Sequence, residues 1–287
     1  MILPEFQYLL PKSMEEACSL AKEHAEDGKV MAGGTDVIVA MKEHVIKPAY
    51  IIDIKNLPEM DYIQYDEQTG LHIGALTKLR TIEKSELVKE KMKGVSDAAH
   101  YVASTQVRAK GTMVGNVVNA SPSADTVPIL LALGAVLKVT GTEGKREIPV
   151  SEFYVGFKKT ALQPGEIITE IQIPALGVNQ KASYIKHAIR KAMDLAIVGV
   201  AAVVTVEDGI CIDAKIALGA VAITAIRATE AEKVLIGNAL TDEVIEKASV
   251  AAMNECSPIS DVRASAEYRK DMIRVFTKRA IKKALEA

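Results

Sequence analysis

Lys29-Val30-Met31-Ala32-Gly33-Gly34-Thr35-Asp36-Val37-Ile38-Val39-Ala40-Met41 decides how the amino-terminal part of the chain is read. Its first four residues form a short apolar strand, its glycines a turn, and Val37 to Met41 a helix. Residues 11–27 form a preceding helix. Ser13 and Glu16 make a capping box, Ala17, Leu20, Ala21 and Ala25 an apolar stripe, and Gly28 the stop. Tyr50-Ile51-Ile52-Asp53-Ile54 is a second buried strand, which completes a small β-α-β unit.

The glycines of Ala32-Gly33-Gly34-Thr35-Asp36 permit positive φ and let a ligand approach the backbone closely. The same residues also suit an ordinary strand–turn–helix in which Thr35 or Asp36 caps the helix. A second loop runs Gly111-Thr112-Met113-Val114-Gly115-Asn116-Val117-Val118-Asn119-Ala120-Ser121-Pro122, then Ser123-Ala124-Asp125 at a predicted helix start. Thr112, Asn116, Asn119, Ser121 and Asp125 cluster between apolar residues there. Polar groups crossing a core need partners; either a ligand supplies them or the segment is a long capped loop. Two such loops together suit backbone N–H groups closing around a pyrophosphate. Neither is a GxGxxG after a strand, and no GxxxxGK[ST] occurs, which argues against a standard dinucleotide or P-loop fold.

The segment after residue 55 changes character. Residues 62–65 and 71–75 read as a β-hairpin, Thr77 as the cap of a helix over 79–85, and residues 87–103 as one further helix. Asp125 to Leu133 is a short helix with Pro128 in its first turn. Strands follow at 135–140 and 147–150, around the turn Gly141-Thr142-Glu143-Gly144, and at 166–173. Residues 174–182 are the best linker. Beyond them, strands at 182–189, 196–207 and 210–221 precede helices at 228–235, 241–255 and 264–286, an α+β order. The last helix places Met272, Phe276 and Ala280 on one face, with Lys278, Lys282 and Lys283 outward.

A net charge of -2 over 287 residues offers no field for nucleic acid or an anionic membrane. Trp is absent and aromatics make up 4%, too few for a base-stacking platform. Cys18, Cys211 and Cys256 stand singly, so the chain cannot hold an iron–sulfur cluster or structural zinc by itself, and the odd count fits a reducing cytosol. The start lacks a signal peptide and no stretch has the length of a membrane span, so a cytoplasmic, soluble protein is expected. His24, His44, His72, His100 and His187 lack metal-like spacing and read as surface residues. No catalytic nucleophile or base is in view, which leaves any chemistry to a bound cofactor. Lys186, inside the strand segment Tyr184-Ile185-Lys186-His187, either faces water or supplies a cation beside an electron-accepting ring.

These residues resemble the FAD-binding (medium) subunit of molybdenum hydroxylases, the family of xanthine dehydrogenase, aerobic carbon monoxide dehydrogenase and nicotinate dehydrogenase. The resemblance rests on Phe6-Gln7-Tyr8 … Pro11-Lys12-Ser13, Ala32-Gly33-Gly34-Thr35-Asp36, Ile51-Ile52-Asp53-Ile54, Ile73-Gly74-Ala75 and Gln106-Val107-Arg108 … Gly115-Asn116 … Asn119-Ala120-Ser121-Pro122 … Asp125 … Pro128. It continues through Phe157-Lys158-Lys159-Thr160 … Gly165-Glu166-Ile167-Ile168 and Asp261-Val262-Arg263-Ala264-Ser265-Ala266-Glu267-Tyr268-Arg269, and so spans essentially the whole chain.

The resemblance implies an α+β protein: a two-part FAD-binding domain of the vanillyl-alcohol-oxidase type (residues 1–55 and 56–175), then an α+β domain over 180–287. It implies that Met31, Ala32, Gly33, Gly34, Thr35, Asp36 and Val37, with Thr112, Gly115, Asn116, Asn119 and Ser121, hold the pyrophosphate and ribityl chain of FAD. Asp125 would contact the adenosine side or ribityl hydroxyls, Ile167 and Ile168 would pack near the rings, and Lys186 would reach the isoalloxazine. It implies no catalytic side chain and no metal ligand in this chain. Molybdopterin and [2Fe–2S] clusters would sit on a large and a small partner subunit, with electrons leaving through FAD to NAD and xanthine the leading substrate. The alternatives are a carbon monoxide or nicotinate dehydrogenase-like complex, a stand-alone FAD-dependent oxidoreductase, and an assembly subunit that has lost FAD. Val114 stands where the family usually has a glycine; a positive φ there would be costly for a β-branched residue.

Overall fold

The computed structural model describes residues 3–286. Strand β1 (Gln7–Leu9), helix α1 (Met14–Glu23), strand β2 (Gly28–Met31), helix α2 (Val37–Lys42) and strand β3 (Tyr50–Asp53) build a parallel sheet in the order β1-β3-β2. Parallel neighbours need a crossover, and α1 and α2 provide them. Ser13 Oγ accepts from Glu16 N at 3.1 Å, while the Glu16 carboxylate reaches back to Lys12 N at 2.7 Å, one residue before the cap. The edge strand β1 escapes the sequence pattern because it is only three residues long and mostly exposed.

An antiparallel sheet follows. Ile63–Asp66, Gly70–Gly74, Ile167–Ile173, Val136–Gly141 and Gly144–Pro149 lie side by side in that order, so the strand made last is central. Between Gly70–Gly74 and Val136–Gly141 runs a series of short helices: Leu79–Lys84, Glu86–Lys91, Lys93–Tyr101, Thr105–Arg108, Met113–Val118 and Thr126–Ala132.

Three expectations change here. The helix expected over 87–103 is two helices, broken at Met92 (φ -149°, ψ 62°), and Gly94 then packs closely on the Ile129 side chain. Thr77 caps nothing; its Oγ1 accepts from Tyr62 N at 3.0 Å and donates to Tyr62 O at 2.8 Å, tying the hairpin to the helices. The second glycine segment is not a loop through its middle but a helix, Met113–Val118, capped by Thr112, whose Oγ1 accepts from Gly115 N at 3.0 Å.

Beyond Ile173, the strands Gln180–His187, Val198–Glu207, Ile210–Gly219 and Ile226–Arg227 form a four-stranded antiparallel sheet. Val198–Glu207 is apolar along most of its length because both faces are covered. Ala201 and Val203 join the core of the preceding sheet and helices, whereas Val198, Val200, Ala202 and Val204 face the carboxy-terminal helices. Those helices are Thr229–Leu235, Asp242–Glu255 and Ala266–Glu286, the last burying Ile273, Phe276, Ala280, Ile281 and Ala284. The three lysines expected to point freely outward are all paired: Lys278 with Glu246, Lys282 with Asp242, and Lys283 with Asp97 at 2.7 Å. Lys283 Nζ also donates to Tyr184 O at 3.1 Å. No described helix is long and apolar enough to cross a membrane.

Candidate FAD-binding site

The two glycine segments, 78 positions apart when measured from Gly33 to Gly111, meet in space. A β-carbon built on Gly33 would lie 2.2 Å from the Lys110 carbonyl oxygen and 2.8 Å from Gly111 Cα. Only a glycine allows that approach. Thr35 Oγ1 lies 3.3 Å from the position of a β-carbon on Gly111, and Gly34 adopts φ +70°.

Neither Thr35 nor Asp36 makes a side-chain capping bond to α2. Asp36 occupies the N-cap of α2 with no capping bond from its side chain. Among the described residues, the backbone N–H groups of Gly33, Gly34, Thr35, Asp36 and Val37 and the hydroxyl of Thr35 have no hydrogen-bond partner. Five successive unspent donors at a closed turn are the chemistry that binds an anionic oxygen cluster. The surroundings push the Asp36 carboxyl up by desolvation, opposed by the charge of Lys158 on a nearby hairpin. That hairpin, Tyr154–Gly156 with Lys159–Thr160, also touches the second segment: Tyr154 OH donates to Val117 O at 3.1 Å.

On the second segment, Val114 is helical and buried and does not adopt positive φ, so the absence of a glycine there brings no backbone strain. Asn116 Oδ1 accepts from Thr126 Oγ1 at 2.7 Å, fixing this helix to Thr126–Ala132. Asn119 is exposed, Ala120 turns the chain at φ 49°, and Ser121 and Ser123 share a hydroxyl contact of 3.1 Å. Met31 packs with Met41 and Ile51 beneath the first turn. Ile167 and Ile168 are both buried in the central strand of the five-stranded sheet.

Asp125 and Lys186 come together across the seam between the two halves. Tyr184 and Lys186 share one face of their strand by the two-residue period, and both reach Asp125. Tyr184 OH donates to Oδ1 at 3.1 Å and Lys186 Nζ to Oδ2 at 2.8 Å. Lys186 Nζ also donates to Tyr101 O at 3.0 Å and Asp194 O at 2.8 Å. All three ammonium protons are therefore engaged, and with its side chain 6% exposed Lys186 does not face water. Burial pushes the Asp125 carboxyl up to about 6, against the pull of Lys186 and Tyr184. Tyr184 itself went unnoticed in the sequence, although a tyrosine two residues from an embedded lysine was the available signal.

The histidines do not converge. His72 and His100 each meet a carboxylate, Glu170 at 2.9 Å and Glu83 at 2.8 Å. Cys18, Cys211 and Cys256 are each buried and unpaired.

A β-α-β turn with unspent backbone donors set against a helix-flanked segment, followed by a helix-backed antiparallel sheet, fits a flavin-binding subunit. The comparisons agree with it. The family model described as the FAD binding domain in molybdopterin dehydrogenase matches residues 4–176, and that of the CO dehydrogenase flavoprotein C-terminal domain matches residues 183–284. The carbon monoxide dehydrogenase medium chain of Afipia carboxidovorans is 35% identical, over 99% of this chain and 98% of its own. The xanthine dehydrogenase FAD-binding subunit of Escherichia coli O157:H7 is 30% identical, over 96% of this chain and 94% of its own. The structure of reconstituted CO dehydrogenase from Oligotropha carboxidovorans superposes with a TM-score of 0.96 at 34% identity, covering 100% of this chain and 99% of that one. The chain belongs to the family of FAD-binding medium subunits of molybdenum hydroxylases.

Proposed function

We propose that the chain is the electron-exit subunit of a xanthine dehydrogenase-like molybdenum hydroxylase. Its partners are a molybdopterin-binding large subunit and a small subunit carrying [2Fe–2S] clusters, and its acceptor is NAD. FAD supplies the junction between one-electron delivery from the clusters and two-electron hydride transfer to the nicotinamide. The observation that carries the reading is the meeting of Gly33 with Lys110–Gly111 beside five unspent backbone donors.

In this reading Met31 to Val37 close on one side of the FAD pyrophosphate. Thr112, Gly115, Asn116, Asn119 and Ser121 line the other side with the ribityl chain. Asp125 offers its carboxylate toward the nucleotide from a position fixed by Tyr184 and Lys186. Lys186 has no spare proton to donate, so it contributes fixed charge and orientation at the isoalloxazine end. Ile167 and Ile168 keep water from the ring side of the sheet.

Sequence identity to this chain does not follow the substrate named for the relatives, since a carbon monoxide and a xanthine enzyme differ by only five percentage points. We place substrate choice in the large subunit, and the test begins with the purified complex. Flavin absorbance in this chain, molybdopterin and [2Fe–2S] clusters in co-purifying chains, and xanthine-dependent NADH formation are expected. A colourless chain that cannot be reconstituted with FAD overturns the flavin assignment. Turnover of substrate by the isolated flavin chain favours a stand-alone oxidoreductase. Activity with other acceptors but none with NAD removes the acceptor assignment alone.

A further inference from the structure

A heavily bonded carboxylate outside the two glycine segments is Glu83, on the buried side of helix Leu79–Lys84. It receives Arg108 Nε at 2.9 Å, Arg108 Nη2 at 3.3 Å and Arg80 Nη1 at 2.9 Å, and contacts His100 Nδ1 at 2.8 Å. Arg108 is 5% exposed and spends its remaining donors nearby, Nη1 on Val102 O at 2.9 Å and Nη2 on Thr105 Oγ1 at 3.3 Å. One guanidinium therefore joins helix Leu79–Lys84 to both ends of the 102–108 segment.

The stretch that follows Arg108 is the one that touches Gly33. Lys110 N and Gly111 N donate to Val107 O at 3.0 and 2.7 Å, and Leu79 N donates to Gly111 O at 2.9 Å. Both elements that hold the Lys110–Gly111 peptide, the turn ending at Arg108 and the helix beginning at Leu79, are thus the two that the Arg108–Glu83 pair clamps. A buried ion pair is a poor source of stability compared with apolar packing, but its fixed geometry specifies one arrangement. The planar fork of arginine gives that geometry and a lysine does not.

We propose that Arg108, held by Glu83, is a positioning residue for the flavin: it fixes the Lys110–Gly111 peptide against Gly33 and so sets the gap that receives the FAD pyrophosphate. The proposal rests on the FAD reading above.

The test uses the full chain with FAD removed. Arg108→Lys keeps the charge and loses the fork; Glu83→Met combined with Arg108→Met replaces the pair by apolar groups of similar bulk. FAD affinity is measured by titration, and amide hydrogen exchange is followed residue by residue in the apoprotein. For both variants the expectation is FAD binding weakened roughly ten-fold or more, with faster exchange confined to residues 109–116 and unchanged exchange in strand Val198–Glu207. Wild-type affinity in folded Arg108→Lys, or exchange raised evenly over the whole chain, overturns the proposal. If Arg108→Lys does not fold, the double variant decides by the same two readouts. If neither variant folds, the pair is a stability element and the proposal is likewise overturned. A wild-type chain that never binds FAD refutes the flavin reading itself, whereas the exchange pattern still reports whether Arg108 positions the 109–116 segment.

Discussion

Gly33 and Gly111 are in backbone contact: a β-carbon on the first would lie 2.8 Å from the Cα of the second and 2.2 Å from the neighbouring Lys110 carbonyl oxygen. The clash is with main chain rather than with the end of a flexible side chain, so one of the two segments has to retreat. Gly33→Ala is therefore expected to cost about 1–3 kcal/mol of stability, as overpacking does. Its larger effect falls on FAD, whose affinity should drop by at least roughly ten-fold because the facing surfaces are displaced together. Titration of the apoprotein with FAD checks this, and wild-type affinity in the variant would show that the contact is incidental.

Val114 provides the opposite case. Because it is buried on helix Met113–Val118 with no positive φ, glycine would gain nothing from its conformational freedom. Val114→Gly loses roughly 0.3–0.5 kcal/mol of helix propensity, valine being a poor helix former itself, and the packing of a buried side chain, about 1.5–3 kcal/mol more. Lower thermal stability with no gain in FAD affinity is expected; tighter FAD binding in the variant would contradict the helical assignment.

Asp125 and Lys186 form an ion pair with side-chain exposures of 8% and 6%. Lys186→Met leaves a carboxylate buried with only Tyr184 for company, a change of the type that costs about 3–5 kcal/mol. Adding Asp125→Asn should recover a substantial part of that loss. Chemical denaturation of the two single variants and the double variant yields the coupling. Additive losses would mean that the two side chains contribute independently.

Glu83 gives the chain an acid-sensitive point. Burial works against its ionisation, but the bonds from Arg108, His100 and Arg80 outweigh burial and bring the carboxyl down to about 2 from an ordinary 4.5. A depressed acid stabilises the fold fully above the unfolded value, and that contribution is lost as pH falls from about 4.5 towards 2. It amounts to about 3 kcal/mol. Stability curves of wild type and Glu83→Gln should therefore converge as pH falls through this window, and parallel curves would assign the acid sensitivity elsewhere.

The longer strands, the β-α-β unit and the two glycine segments were legible because apolar periodicity and glycine placement are local signals. The short strands Gln7–Leu9, Tyr154–Gly156, Lys159–Thr160 and Ile226–Arg227 carry too few residues for such a signal. The meeting of Gly33 with Gly111 was not legible, since nothing local specifies which distant peptide occupies the space a missing β-carbon leaves. Lys186 shows the same limit from the other direction. Its strand position allowed either water or a ligand, and the structure places a third partner there, Asp125, 61 residues earlier. The helix at Met113 was hidden by Gly115 and Asn116, poor helix formers that Thr112 offsets by capping. Arg108 and Glu83 were visible only as charges among other polar residues, and their pairing needed the two intervening helices, Glu86–Lys91 and Lys93–Tyr101, to bring them together.

Lys283 bonds both the Asp97 carboxylate and the Tyr184 carbonyl, so the last long helix fastens the strand of one half to a helix of the other. Asp97 leaves the ribosome 186 residues ahead of its partner, and at cellular synthesis rates of roughly 5–20 residues per second that is a delay of about 10–40 s. During the first part of that interval, until Ala201 and Val203 emerge, the apolar surface they cover in the amino-terminal half is open to solvent, and for the remainder the half lacks only its closing latch. The nascent chain thus has a window of vulnerability to aggregation that closes with the strand bearing Ala201 and Val203, and the ion pair of Lys283 fastens the two halves only afterwards.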